Sequence, residues 1–276
     1  MENQVKFESV SFGKRLGSMV RVDFRRMGKS KIFYILLACA LVIPVLITVM
    51  MTMMDGSVSV NPQTGVETVM EGPENTWQSI GTLPTAGTEN GQATAMGGMD
   101  VMGMCNINMM FMLTAVFICL FISEDFKSGY AKNLFAVRAK KSEYVISKTL
   151  SGFVCGALML LAYFIGAMLG GAISGLSFEL STLNTGNIVM CILAKIFLML
   201  VFISIFVLIS VAAKQKTWLC LCGSLAAGML LFMMVGMITP LGSTILNVLF
   251  CLACGMLFAL GLGTISAVVL KKSSLV

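Results

Sequence analysis

The 276-residue chain predicts an all-α polytopic membrane protein. The expected architecture is six transmembrane helices, an N-terminal amphipathic interfacial helix, and both termini in the cytoplasm. Three observations lead there. The chain is 57% hydrophobic and only 12% charged, with a mean hydropathy of +0.92, more apolar surface than a soluble domain of this size can hide. Six runs approach the roughly 20 residues needed to cross about 30 Å of hydrocarbon, at 32–54, 101–123, 149–173, 188–213, 218–238 and 245–270. Eighteen of the nineteen Lys and Arg residues fall on one side of a six-span layout, and that side is the cytoplasm by the positive-inside rule.

The N-terminal stretch "SFGKRLGSMVRVDFRRMGKSK" sets Phe12, Leu16, Met19, Val20, Phe24 and Met27 at helical spacing, with Lys14, Arg15, Arg21 and Arg25 largely off that face. This predicts a basic helix over 8–28 lying in the inner membrane interface. It either anchors the first span to anionic lipid or touches a cytoplasmic partner. The first span follows a charge-bearing stretch of some 30 residues without a small-x-small cleavage site, so a retained span is expected rather than a signal peptide. Pro44 predicts a kink within it.

The outer loop, 55–100, holds Asp55, Glu67, Glu71, Glu74, Glu89 and Asp100 with no Lys or Arg. It mixes turn residues with short β-prone runs. Its acidity either draws cationic ligands or simply follows from avoiding basic residues outside.

The segment 124–148, "EDFKSGYAKNLFAVRAKKSEYVISK", carries six basic residues between the second and third spans. Tyr130, Leu134 and Val137 recur at i, i+4 and i+7, and Lys127, Lys132 and Arg138 surround them. Gly129 is placed to break the emerging helix, and Ser142 to cap the next. A short helix with an apolar stripe and a cationic rim suits a groove on another protein; the alternative is a solvated basic loop beside headgroups.

The third span contains Gly152-x-x-x-Gly156, Gly166-x-x-x-Gly170 and Gly171-x-x-x-Gly175, which predict close helix contact within the chain or across a dimer. Lys195 is the one basic residue left inside a span, roughly 12 Å from Asn187 at 1.5 Å per residue. A lysine there needs water or a partner, by snorkelling toward Glu179 and the outer loop or by lining a polar pathway. The turn 237–244, "MITPLGST", either dips into the outer leaflet or is simply tight. The chain has nine cysteines, all in apolar segments. The odd count implies no disulfide framework, and Cys251-x-x-Cys254 reads as small packing residues.

Several classes of function are disfavoured. The net charge of +6 sits at the ends of apolar runs, which is a topology signal and not a nucleic-acid footprint. There is no phosphate-binding Gly-x-x-x-x-Gly-Lys-Ser/Thr loop, no histidine, no metal-ligand cluster and no carboxylate in the predicted spans. The chain therefore reads as a non-enzymatic single transmembrane domain, 1–276, whose energy must come from elsewhere.

In this layout the chain resembles the permeases of the ABC type-2 family over nearly its whole length. The most specific likeness is "SEDFKSGYAKNLFAVRAKKSEYVISK". Glu124 or Asp125, Gly129, Lys132, Asn133, Arg138, Tyr144 and Lys148 match the family's acidic span end, glycine, Lys-Asn-like pair, basic residue, and Tyr and Lys entering span three. The resemblance implies that 124–148 is the coupling loop. Gly129, Tyr130, Lys132, Leu134, Phe135, Val137 and Arg138 would then seat on a separate ATP-binding subunit, and two such ATPases carrying ATP and Mg would serve two permease chains. The entry "FRRMGKSKIFY" and the small outer loop are most similar to Gram-positive members that export, or confer immunity to, antimicrobial peptides, which implies a bacterial cell membrane. The competing expectations are a non-transporting immunity or sensor protein binding peptide at its outer loop, and a secondary transporter. The striped loop has no evident use in either.

Overall fold

The computed structural model describes residues 11–60, 67–69, 72–73, 75–81, 106–137, 140–179 and 183–272. The chain starts with α1 (Phe12–Lys29) and α2 (Lys31–Met53), separated by a single extended residue, Ser30, with φ −77° and ψ 119°. In the outer loop β1 (Val58–Val60) and β2 (Glu67–Val69) pair antiparallel, Ser59 opposite Thr68, where β-prone runs were expected. A one-turn 3-10 helix, Thr76–Ser79, follows. Then come α3 (Met109–Lys127), the short α4 (Tyr130–Val137), α5 (Lys141–Ser174), α6 (Thr185–Ala213), α7 (Thr217–Ile238) and α8 (Ile245–Lys272).

Helix boundaries differ from the hydropathic runs in two informative places. The second span was expected at 101–123, but α3 begins only at Met109 and carries Glu124, Asp125 and Lys127 within the helix. The helix therefore continues past the apolar run because its polar end finds partners inside the protein. Likewise α5 begins at Lys141, eight residues before the apolar run at 149, and its N-cap is Lys140. Ser142 lies within the first turn and caps nothing, contrary to expectation.

Five helices, α2, α3, α5, α6 and α8, are long and apolar enough to cross a bilayer. The helix α7 spans 22 residues and is apolar over Thr217–Phe232. Helices α3 and α6 are the most buried, while α2 and α8 lie at the periphery. Extensive seams join α6 to α8 and α2 to α5, with α3 wedged between α6 and α7.

The glycines of α5 explain these seams. A Cβ at Gly166 would stand 2.2 Å from the Leu41 carbonyl oxygen and 2.7 Å from Pro44 Cγ; one at Gly170 would stand 3.1 Å from the Val45 backbone. The Gly166/Gly170 pair therefore lets α2 approach with its proline turn seated on bare backbone. Gly152 and Gly156 serve Ile118, Ile203 and Met199 in the same way. These small residues are thus spent on contacts within the chain. Gly175 ends α5 in the left-handed conformation, φ 70°, the usual role of a glycine there.

Because the obstruction at Gly166 is backbone, Gly166→Val should force α2 away from α5 and cost about 1–3 kcal/mol or more. A thermal melt in detergent should show this loss. Gly236→Ala, where the added methyl meets nothing within 4 Å, should leave the midpoint unchanged.

Candidate functional site

The polar ends of α1, α3 and α5 meet in one buried cluster. On α1 the buried residues are Met19, Asp23 and Met27, a seam at i, i+4 and i+8 that lies against α5. Of the predicted interfacial residues, Leu16, Val20 and Phe24 are half-buried and Phe12 is exposed. Asp23 therefore points into protein from the middle of a basic helix. From α5, Lys148 sets its Nζ 2.7 Å from Asp23 Oδ1 and 2.7 Å from Asp125 Oδ2 of α3. Arg26 of α1 places Nη1 2.6 Å from Asp125 Oδ1. The Tyr144 hydroxyl donates to Asp125 Oδ2 at 2.9 Å, and the Ser147 hydroxyl to Asp23 Oδ2 at 2.5 Å.

Two carboxylates and two cations thus neutralise each other, with Asp23, Asp125 and Lys148 almost wholly shut off from solvent. Burial of ions is tolerated only when charges pair and the remaining hydrogen-bonding capacity is filled. Here Tyr144 and Ser147 fill part of it, while Arg26 Nη1 and Asp125 Oδ1 meet as an ion pair without hydrogen-bond geometry. The Lys148 ammonium also stands 4.0 Å from the Phe121 ring centroid, an added attraction for a desolvated cation. About two turns back from Asp23 along α1, Arg15 pairs with buried Glu143 at 3.0 Å.

This cluster grips α4. Gly129, at φ 73°, turns the chain out of α3, a conformation that favours glycine. Arg26 then lies over the Tyr130 ring at 4.2 Å, and Phe135 packs edge-on to Tyr144 at 5.3 Å. Burial pushes the Tyr130 phenol above its ordinary value, with the Asp23 carboxylate adding to the effect, so the ring stays neutral beneath the guanidinium. Ala131 is buried, and Leu134 and Phe135 are half-buried against the core. Lys132, Asn133 and Ala136 are exposed. Lys141 donates to the Leu270 carbonyl at 2.6 Å, tying the start of α5 to the end of α8. Arg138 lies outside the described residues, as does the side chain of Val137.

Of the residues singled out from sequence, Gly129, Tyr130, Leu134 and Phe135 are thus gathered at the cluster, while Lys132 faces away. Asp23 was missed. Its signal was present: it is the only acid between Lys14 and Lys31, at i+4 from Met19 and i−4 from Met27. Where sequence left Glu124 or Asp125 open, Asp125 is the buried partner and Glu124 is exposed.

Lys195 reaches neither Glu179 nor open space. It is fully buried, and its Nζ donates to Asn108 Oδ1 at 2.8 Å and Thr239 Oγ1 at 2.9 Å. Neutral oxygens at the start of α3 and the end of α7 hold it, where the sequence left open snorkelling or the lining of a polar pathway. On the same side, the Asn75–Gly81 segment docks on the end of α5. Trp77 Nε1 donates to the Phe178 carbonyl at 3.2 Å and Asn75 Nδ2 to the Glu179 carbonyl at 2.7 Å.

No three metal-ligating side chains gather among the described residues. The sequence model of the ABC-2 family transporter proteins matches residues 19–226, about three-quarters of the chain. No curated protein and no solved structure matches it. The chain therefore belongs to the ABC-2 family transporter proteins: it is a multi-pass permease, the membrane subunit of an ABC transporter.

Removing one member of the buried cluster leaves an uncompensated charge. Lys148→Met should cost about 3–5 kcal/mol, read as a lowered unfolding midpoint in detergent. Lys148→Met with Asp23→Asn should cost clearly less than the two single losses added together. At the outer end, Asn108→Leu strands a buried ammonium and should destabilise more than Lys195→Met, which leaves only neutral groups unpaired. The combination Asn108→Leu/Lys195→Met should recover part of the loss.

Proposed function

We propose that this permease pairs with a second permease chain and two separate ATP-binding subunits to form an exporter of amphiphilic cargo, of the antimicrobial-peptide or antibiotic class. ATP and Mg then belong to the partner ATPases. In this reading α7 is the sixth span, since 22 residues at 1.5 Å each reach about 30 Å. An even number of crossings with the basic residues inside puts both termini in the cytoplasm, and α1 at the inner interface. The cargo class rests on the resemblance of the "FRRMGKSKIFY" entry and small outer loop to peptide-exporting relatives.

The observation that carries the proposal is α4. An eight-residue helix hangs from the end of a span, is cemented to α1, α3 and α5, and keeps Lys132, Asn133 and Ala136 exposed. That geometry supports a lever. An ATPase seated on the exposed face would push α4, and the load would pass through Tyr130 to Arg26 and through Phe135 to Tyr144. Leu134 faces the bundle, so it serves the lever's attachment rather than the partner's grip.

The test is copurification of the tagged chain from its native host. Lys132→Glu with Ala136→Glu should release a copurifying ATPase while leaving the melting midpoint unchanged. Leu134→Asp should lower both. An ATPase that stays bound to the first variant would move the contact away from α4. A chain that copurifies with no ATPase, under conditions that keep other membrane complexes intact, would overturn the exporter reading.

A further inference from the structure

A groove of about 420 Å³ opens beside the candidate lever, on the side away from the charge cluster. Lys127 at the end of α3, Gly129 and Lys132 at the start of α4, and Lys214, Gln215 and Lys216 between α6 and α7 line it. Lys127, Lys132 and Lys216 thus converge on one concavity with no carboxylate among its described lining residues. The neighbouring acids are engaged elsewhere: Asp23, Asp125 and Glu143 hold Lys148, Arg26 and Arg15, and Glu124 lies on a separate groove beside Arg26 and Phe121. The first turn of α7 carries no acid, so its amide dipoles add to the positive field. Lys214 sits at φ 51°, an uncommon backbone for a side-chain-bearing residue, and the resulting turn brings both Lys214 and Lys216 to the groove.

We propose that this groove binds the phosphate of an anionic phospholipid headgroup. Charge alone would suit any anion; the flank of the groove selects a lipid. Directly after Lys216, Trp218 is 83% exposed and Leu219 59% exposed, and Cys222 and Met229 continue an outward apolar face along α7. Tryptophan at the junction of a basic cluster and an apolar face marks the membrane–water boundary. Basic pockets between spans at the cytoplasmic boundary hold anionic headgroups. A lipid phosphate seated among the lysines lays its acyl chains along Trp218 and α7, whereas a free phosphate leaves that flank unused. Because Lys132 is on α4 and Lys127 on α3, the bound headgroup bridges the lever to the span it hangs from.

The chain offers its own reporter. It has two tryptophans, and Trp77 is docked on the opposite side, so Trp77→Phe leaves Trp218 alone. The full chain carrying Trp77→Phe is reconstituted in phosphatidylcholine vesicles, and Trp218 quenching by acyl-brominated phosphatidylglycerol is compared with that by brominated phosphatidylcholine. A preference for the anionic lipid of about fivefold per engaged lysine is expected, following the usual attraction of a surface lysine to anionic lipid. It should fall toward unity in Lys127→Gln/Lys132→Gln/Lys216→Gln and persist in Lys271→Gln/Lys272→Gln, which removes basic residues from the other end of the bundle's cytoplasmic face. It should also survive added inorganic phosphate. Equal quenching by the two lipids, or a preference untouched by the groove triple variant, would overturn the proposal. Abolition by millimolar phosphate would assign the site to the free ion. Loss of a copurifying ATPase in Lys127→Gln/Lys216→Gln, which leaves Lys132 in place, with lipid preference intact would assign the groove to a protein partner.

Discussion

Four side chains on three helices, Asp23, Lys148, Asp125 and Arg26, hold a continuous and neutral run of ion pairs, and the end of the molecule where they meet depends on it. Each charge taken from water carries a penalty of several kcal/mol that only its partners offset. Loss of any one member leaves a net charge among the other three. The cluster therefore sets the position of α1 on α5, the depth to which α3 runs past its apolar stretch, and the starting residue of α5. It also decides where α4 stands, because the guanidinium that neutralises Asp125 is the one that covers Tyr130.

A cluster of this kind suits transmission of force. Apolar contacts between helices slide at modest cost, since lipid is as good a solvent for a leucine as another leucine is. A desolvated ion pair has few geometries in which every charge stays satisfied, so α1, α3, α4 and α5 move as a unit or the set breaks. The helix seams beyond the cluster are of the first kind. Gly166 and Gly170 let α2 lie close on α5, giving contact area without fixing a register through charge.

The opposite end is built differently. Lys195 draws together the start of α3 and the end of α7 through two neutral oxygens, and the Asn75–Gly81 segment closes over α5 with backbone-directed hydrogen bonds. Hydrogen bonds to neutral groups are individually weaker than paired charges. The molecule is thus firmly locked at the face where the lever sits and more lightly latched at the other.

What could be read from the sequence and what could not divides along a physical line. Hydropathy and the one-sided distribution of Lys and Arg depend only on each residue's preference for lipid or water, so the all-helical plan, the approximate apolar runs and the break at Gly129 were legible one segment at a time. The partners of charged residues were not. Asp23 drew no notice within a basic helix, Asp125 stood in a basic loop segment, and Lys195 left its partner open, because burial of a charge depends on what other helices bring to it. The same holds for the stripe of Tyr130, Leu134 and Val137: the spacing announced it, but only the packing decided that Leu134 faces the bundle and Lys132 is exposed. By itself the sequence determined which segments leave water. The tertiary structure alone decided where their charges go, since pairing energy belongs to distances between residues as much as 125 and 128 positions apart, which no local pattern encodes.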